Sequence, residues 1–324
     1  MVKAIRIHET GGPEVLRWED VEVGKPGPGE VRLRHTAVGL NYIDVYHRSG
    51  LYPLPKLPVV IGREAAGVVE EVGAGVTSLK LGDHVAYVDP MGSYAEARLH
   101  PADRLVKVPE GISDQTAAAM MLKGLTAQYL LRRTYRLQTG ETILVHAAAG
   151  GVGLILCEWA RHLGATVIGT VSTEEKAALA RQHGCDHTVL YTRENFVERV
   201  KEITGGKGVA VVYDSVGKDT FAGSLDSLRP LGMMVSYGNA SGKVPPFDPG
   251  ILMAKGSLFL TRPTLVTHTA TREDLEKGSA ELFDVVRKGI VRIEVKQTYA
   301  LKDAAAAHRD LEARKTTGST VLLP

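Results

Sequence analysis

Residues 146–153 read His-Ala-Ala-Ala-Gly-Gly-Val-Gly, between a strand-like run, Glu141–Val145, and a helix-like run, Leu154–Leu163. A glycine-rich turn where a strand feeds a helix is suited to holding phosphate, because bare backbone N–H groups at a helix N-terminus reach an anion only where no side chain intervenes. Gly150 and Gly153 fill the second and third glycine places of a G-x-G-x-x-G pattern, with Ala148 in the first. The backbone of Ala149, Gly150, Gly151 and Val152 is therefore expected to cradle a pyrophosphate. An acid roughly 20 positions further on would bind the adenosine ribose 2′-hydroxyl and repel a 2′-phosphate. Here the next strand ends Gly169-Thr-Val-Ser-Thr173, offering the hydroxyls of Ser172 and Thr173, with Lys176 one helical turn later, although Glu174 and Glu175 intervene. These groups suit the roughly −2 charge of a 2′-phosphate and favour NADPH over NAD. The same two hydroxyls also stand where they would cap the following helix.

The turn lies in a run of alternating elements. Thr166–Val171, His187–Leu190, Val209–Tyr213, Met233–Tyr237 and Ser257–Thr261 read as strands. Glu174–His183, Glu194–Thr204 and the stretch near Asp219–Arg229 read as helices. Apolar β-branched runs alternating with segments of 3.6 periodicity predict an α/β fold, a doubly wound parallel Rossmann sheet of about six strands covered by helices on both faces.

The flanks are built differently. From Val2 to Pro109, short strands are divided by turns such as Pro26-Gly-Pro-Gly29 and Gly73–Gly75, with strands expected at Glu30–Ala37, Ala66–Val72, Asp83–Val88 and Ser93–Leu99. This spacing predicts a barrel-like, β-rich domain. Beyond Leu265 come a helix at Arg272–Lys288, a strand at Val291–Tyr299, a helix at Lys302–Arg314 and a strand at Thr320–Leu323. The late strands find no Rossmann partner and are expected to complete the N-terminal domain. The division is then 1–124, 125–265 for the dinucleotide-binding domain, and 266–324, with the cofactor cleft expected between domains.

Composition narrows the function class. The chain has 39 Lys and Arg against 37 Asp and Glu in 324 residues, interspersed and without a basic block, so no nucleic-acid partner is expected. No apolar run approaches the ~20 residues of a membrane span, and Met1 leads at once into a strand without a signal-peptide pattern. A soluble, cytoplasmic protein is expected. The two cysteines, Cys157 and Cys185, have no C-x-x-C spacing and read as buried free thiols.

Across essentially its whole length the chain resembles the medium-chain dehydrogenase/reductase superfamily. Within it the chain is similar to the zinc-free quinone oxidoreductases related to ζ-crystallin, above all the bacterial NADPH:quinone reductases. The resemblance is carried by Thr10-Gly-Gly-Pro-Glu-Val15, Gly39-Leu-Asn-Tyr-Ile-Asp44, Gly62-Arg-Glu-Ala-Ala-Gly67, Gly82-Asp-His-Val85, Lys123-Gly-Leu-Thr126, His146–Gly153 and Tyr213-Asp-Ser-Val-Gly217. It implies a GroES-like catalytic domain beside the Rossmann domain, and a homodimer, for which the strand Ser257–Thr261 is expected to offer an open sheet edge.

The zinc-dependent members of the superfamily hold their metal through a Cys and the His of a Gly-His-Glu motif; here those places read Asn41 and Gly62-Arg63-Glu64. Neither an asparagine nor an arginine supplies the ligands zinc needs, and Asp89–Pro109 contains no cysteine for a structural site, so no metal site is expected. A hydride donor acting without a Lewis acid suits strongly electrophilic acceptors, quinones or conjugated enones.

By resemblance Asn41, Asp44, Tyr46 and Tyr52 line the substrate side, and Asn41, Lys123 and Thr126 stand near the nicotinamide and its ribose. Tyr46 or Tyr52 would donate to the acceptor oxygen, or else merely pack. Tyr191 and Arg314 are implied, with Lys176, as a clamp for adenine and 2′-phosphate. Ser215, Gly238, Asn239, Thr261 and Arg262, at or after strand ends, approach the nicotinamide half. The expected activity is NADPH-dependent quinone reduction. The alternatives are reduction of an alkenal or enone double bond, and a nucleotide-binding role without turnover, as in crystallin-like or RNA-binding relatives.

Overall fold

Turn residues cut the N-terminal part of the chain into short strands. In the computed structural model, which describes residues 1–324, these are β1 (Val2–Ile7), β2 (Arg17–Val21), β3 (Glu30–Leu40), β4 (Val59–Val60), β5 (Glu64–Val72), β6 (His84–Val88), β7 (Ala97–Pro101) and β8 (Val106–Lys107), with helix α1 (Tyr42–Arg48) after β3. β3 and β5 run antiparallel from Val31↔Val72 to Gly39↔Glu64, β6 continues the sheet from β5, and β7 pairs with β3. A smaller sheet has the order β2-β1-β4. The inward residues Ile5, Ile7, Leu33, Val38, Val69, Val85 and Tyr87 meet in one apolar core.

Helix α2 (Asp114–Tyr129) then leads into alternating elements: β9 (Thr142–Val145), α3 (Gly151–His162), β10 (Thr166–Val171), α4 (Glu174–Gln182), β11 (His187–Leu190), α5 (Phe196–Ile203), β12 (Val209–Asp214), α6 (Phe221–Asp226), β13 (Leu228–Ser236), α7 (Gly250–Ala254), β14 (Phe259–Thr261) and α8 (Leu265–His268). All six strands are parallel, in the order β11-β10-β9-β12-β13-β14. That is the doubly wound Rossmann order expected from the alternating pattern. Every residue of the central strand β12 is buried, as a strand covered on both faces requires.

The chain closes with α9 (Arg272–Arg287), β15 (Val295–Ala300), α10 (Ala304–Glu312) and β16 (Ser319–Leu323). β16 joins β3 antiparallel and β15 lies parallel to β16, so the last strands extend the N-terminal sheet. Two compact units result: Met1–Leu125 with Thr269–Phe283 and Ile293–Pro324, and Thr126–His268 with Asp284–Arg292.

Several element ends differ from the sequence reading. The strand expected at Ser93–Leu99 begins only at Ala97, because the backbone of Gly92, Ser93 and Tyr94 is committed to the carbonyls of Gly62 and Ile61. The helix expected to reach Arg229 stops at Asp226, and β13 starts five residues before the expected Met233. In its first half Leu231 takes a φ of 61°, which the periodicity of side chains does not register. No helix is long and apolar enough to cross a membrane. Both cysteines are buried free thiols.

Candidate active site and dinucleotide turn

In the first unit, the junction of β3 and α1 carries Asn41 as the helix N-cap. Asn41 and Asp44 form a capping box in which the Asn41 N–H donates to Asp44 Oδ2 at 2.9 Å. The Asn41 amide also reaches sideways, its Nδ2 donating to Glu64 Oε1 at 2.7 Å. The same oxygen accepts from Lys123 Nζ at 2.9 Å, and the other accepts the Leu122 N–H at 2.7 Å. Lys123 donates further to the Leu40 carbonyl at 3.1 Å. Glu64 is 0% exposed and Lys123 6%, so this is a buried ion pair whose members are held by further hydrogen bonds. Gly39 permits the arrangement: a Cβ there would sit 2.3 Å from the Ala118 carbonyl oxygen and 2.4 Å from Glu64 Oε1.

Asn41 and Lys123 are thus brought together through Glu64, a residue outside the expected site, and Asp44 joins them through the Asn41 N–H. Asp44 is fully buried, and burial pushes its carboxyl up to about 7 against the pull of the Asn41 amide and Tyr94 hydroxyl. Tyr46 and Tyr52 face each other with ring centroids 5.1 Å apart, and Tyr42 and His47 flank them at 5.8 and 5.9 Å. Arg63 pairs with Asp89 and donates to His47 Nε2 at 3.3 Å. Both positions where a zinc-dependent relative would carry ligands are therefore committed to other bonds, and no three His, Cys, Asp or Glu side chains converge as a metal would need.

In the second unit, the turn after β9 is shaped by backbone. Ala147 takes the left-handed conformation at φ 54°, and Gly153 has no room for a side chain, since a Cβ would lie 2.3 Å from the Ala147 carbonyl oxygen. Gly150 is the N-cap of α3 and no side chain caps that end, which leaves first-turn N–H groups directed at the space beyond Ala149, Gly150, Gly151 and Val152. Thr173 caps α4 by accepting the Lys176 N–H, while Ser172 offers its carbonyl to Thr192. Tyr191 follows β11 and is 41% exposed.

At the far strand ends, Gly238 lies so close to Ser215 that a Cβ would stand 2.3 Å from its carbonyl oxygen. Asn239 accepts the Gly242 N–H in the turn that follows. Thr261 ends β14 opposite Val235, and Arg262 donates to the Ser236 carbonyl at 2.8 Å. Thr126 hydrogen-bonds Tyr129, whose ring stacks on His268 at 4.3 Å. Arg314 belongs to the first unit, just past α10, at φ 59°.

Residues 27–110 match the alcohol dehydrogenase GroES-like domain and residues 151–283 the zinc-binding dehydrogenase domain. A quinone oxidoreductase of Pseudomonas aeruginosa is 56% identical over 325 residues, covering 100% of both chains. This chain belongs to the quinone oxidoreductase family of the medium-chain dehydrogenase/reductase superfamily. The crystal structure of Escherichia coli quinone oxidoreductase complexed with NADPH has a TM-score of 0.97 and 49% identity, over 99% of this chain and 100% of that one. A 2-haloacrylate reductase of a Burkholderia species is 53% identical over 100% of this chain and 99% of its own length.

Proposed function

We propose that this protein is an NADPH-dependent quinone reductase that delivers hydride to a quinone without help from a metal. The observation that carries the reading is full-length similarity to quinone oxidoreductases, one of them solved with NADPH, in a chain whose own turn fits that cofactor. The fit rests on three features: the uncapped start of α3, the absence of an acid at Ser172, and the nearby Lys176 and Tyr191. When bound, NADPH supplies the hydride.

The chain's residues do the rest. In the second unit the N–H groups of Gly150, Gly151 and Val152 would hold pyrophosphate, and Lys176, Tyr191, Ser172 and Thr173 would take the 2′-phosphate end. Thr126, Ser215, Gly238, Asn239, Thr261 and Arg262 shape the nicotinamide side. In the first unit Lys123 and Asn41, fixed by Glu64, offer polar hydrogens for an acceptor, and Tyr46 and Tyr52 would wall the substrate. No Lewis acid is called for, because a quinone carbonyl is electrophilic enough already.

A second reading, reduction of an electron-poor carbon–carbon double bond, is favoured by the 2-haloacrylate reductase relative. Steady-state oxidation of NADPH with 1,4-benzoquinone, 9,10-phenanthrenequinone, 2-hexenal and 2-chloroacrylate decides between them. The highest kcat/KM is expected with a quinone, and a clear preference for 2-hexenal or 2-chloroacrylate would replace this reading with the second. We further propose a homodimer through β14, an edge strand whose Phe259 is 54% exposed and which is flanked in sequence by Met253 and Val266 at 75% and 53%. Cytoplasmic residence fits the two free thiols.

A further inference from the structure

Behind the α1 capping box lies a line of buried polar groups that the hydride chemistry does not use. Asp44 Oδ2 accepts the Tyr94 hydroxyl at 3.1 Å, Tyr94 Oη meets His308 Nε2 at 3.0 Å, and His308 Nδ1 meets Arg48 Nη1 at 3.1 Å. Arg48 closes the line on Glu312 with two parallel hydrogen bonds of 2.9 and 2.8 Å. Asp44, Tyr94 and His308 are 0% exposed and Arg48 2%, and all belong to the first unit. Gly62 holds the tyrosine in place, since a Cβ there would overlap the ring at 2.1 Å.

The chemistry of the end groups fixes every proton. A guanidinium only donates, so His308 Nδ1 is the acceptor and a neutral ring carries its proton on Nε2. That N–H must donate to Tyr94 Oη, which leaves the Tyr94 proton for Asp44. Burial and the Arg48 charge hold the imidazole down to about 3, in keeping with a neutral ring. The donors therefore all point one way, toward a carboxyl that burial alone would keep protonated. We propose that Arg48, His308 and Tyr94 form a one-way donor chain that favours the ionised form of Asp44, and that Tyr94 and His308 are thereby positioning residues of the hydride-transfer site.

This rests on the assignment of Asn41 and Asp44 to the substrate wall. An ionised Asp44 grips the Asn41 N–H and so orients the Asn41 amide at the head of α1. The other charges facing Asp44 are Glu64 from β5, which raises its pKa, and Lys123 from α2, which lowers it; Glu312 on α10 is neutralised by Arg48. The sign follows. Asp44 titrates higher folded than unfolded, so its ionisation lowers stability progressively between about pH 3.9 and about 7. Activity that needs the ionised form rises with pH through the folded value. Loss of a donor moves that acid limb upward.

The test uses the intact protein with NADPH and 1,4-benzoquinone, comparing wild type, Tyr94→Phe, His308→Leu and His308→Gln. The pH profile of kcat/KM is measured together with the carboxyl titration of Asp44, followed by infrared difference spectra against Asp44→Asn. Tyr94→Phe should raise both the acid limb and the carboxyl titration by about one pH unit, the loss of one hydrogen bond to a charged group, with the alkaline plateau kept within a few-fold. His308→Leu should shift both in the same direction. His308→Gln, whose amide oxygen accepts from Arg48 and whose N–H donates to Tyr94, should restore both. An unshifted carboxyl titration in Tyr94→Phe, or a Gln variant as shifted as Leu, overturns the chain. If Tyr94→Phe does not fold, the His308 pair decides alone. A shifted titration with an unmoved activity profile overturns the positioning role. Absence of turnover in wild type overturns the quinone reading instead, with the infrared titration still deciding the chain.

Discussion

In the first unit the polar groups that matter are side chains sunk out of water: Glu64 holds Asn41, Lys123 and the Leu122 N–H on its two oxygens at 0% exposure. In the second unit the corresponding groups belong to the backbone: an uncapped helix start, a left-handed Ala147 and glycines with no space for a Cβ. A buried side-chain cluster is all-or-none, because removing one charge strands its partner where water cannot replace it. A backbone cradle loses nothing when a neighbouring side chain is trimmed. The two regions should therefore respond to substitution on different scales and in different measurements.

The largest effect is expected at Glu64. Glu64→Ala leaves the Lys123 ammonium buried with only the Leu40 carbonyl, and should destabilise the protein by ~3–5 kcal/mol in urea unfolding without cofactor. Glu64→Gln retains an acceptor for the Leu122 N–H and should lose less. A Glu64→Ala variant within 1 kcal/mol of wild type, or about the cost of one ordinary hydrogen bond, would mean that water enters the pair and that the contrast between the units is false.

The same contrast explains what the sequence discloses. The second unit is legible because its signals are local: Glu141–Gly153 contains a strand, turn and helix start within one short stretch, and apolar runs alternate in phase with the sheet they build. The order of the six strands then follows from the rules of the fold. In the first unit the decisive contacts join Asn41 to Glu64, Leu122 to Glu64, and Arg48 to His308, 260 positions away. A lone histidine on a helix carries no mark of such a partner. Glu64 does carry a signal, an acid beside an arginine unable to bind zinc, but nothing local to it shows that Asn41 and Lys123 converge on its carboxylate. The β7 and β13 starts were illegible for a different reason, since backbone hydrogen bonds and a positive φ set them rather than side-chain periodicity.

A smaller effect is expected at Lys176, where the comparison is sharpened from the side of the backbone cradle. Its N–H is used by the Thr173 cap, and it lies in the first turn of α4 after Glu174 and Glu175, with no acid at position 172. Lys176→Ala should weaken NADPH binding about tenfold, the ~1.5 kcal/mol of one charge-assisted contact, with NADH binding and unfolding unchanged. Equal losses for both cofactors, measured by titration calorimetry, would remove Lys176 from the 2′-phosphate.

The smallest effect should come from the rings that wall the proposed substrate. Tyr46 and Tyr52 sit 5.1 Å apart with Tyr42 beside them, an arrangement that builds an aromatic surface whether or not either hydroxyl donates. Their replacement by Phe keeps that surface. If a hydroxyl donates to the oxygen on which charge develops, kcat and kcat/KM fall together, because the bond strengthens in the transition state; if it only packs, neither moves. Removing an oxyanion donor in demanding acyl transfer costs roughly a hundred- to a thousandfold in kcat. A quinone needs far less assistance, since its reduced oxygen is stabilised by an aromatic ring and solvent can supply the proton. A several-fold fall in kcat with 1,4-benzoquinone is therefore expected for one of the two variants, and none for the other. A loss beyond a thousandfold in a folded, NADPH-binding variant would make that tyrosine an essential acid, and would move the burden of the chemistry from the cofactor to the first unit's side chains.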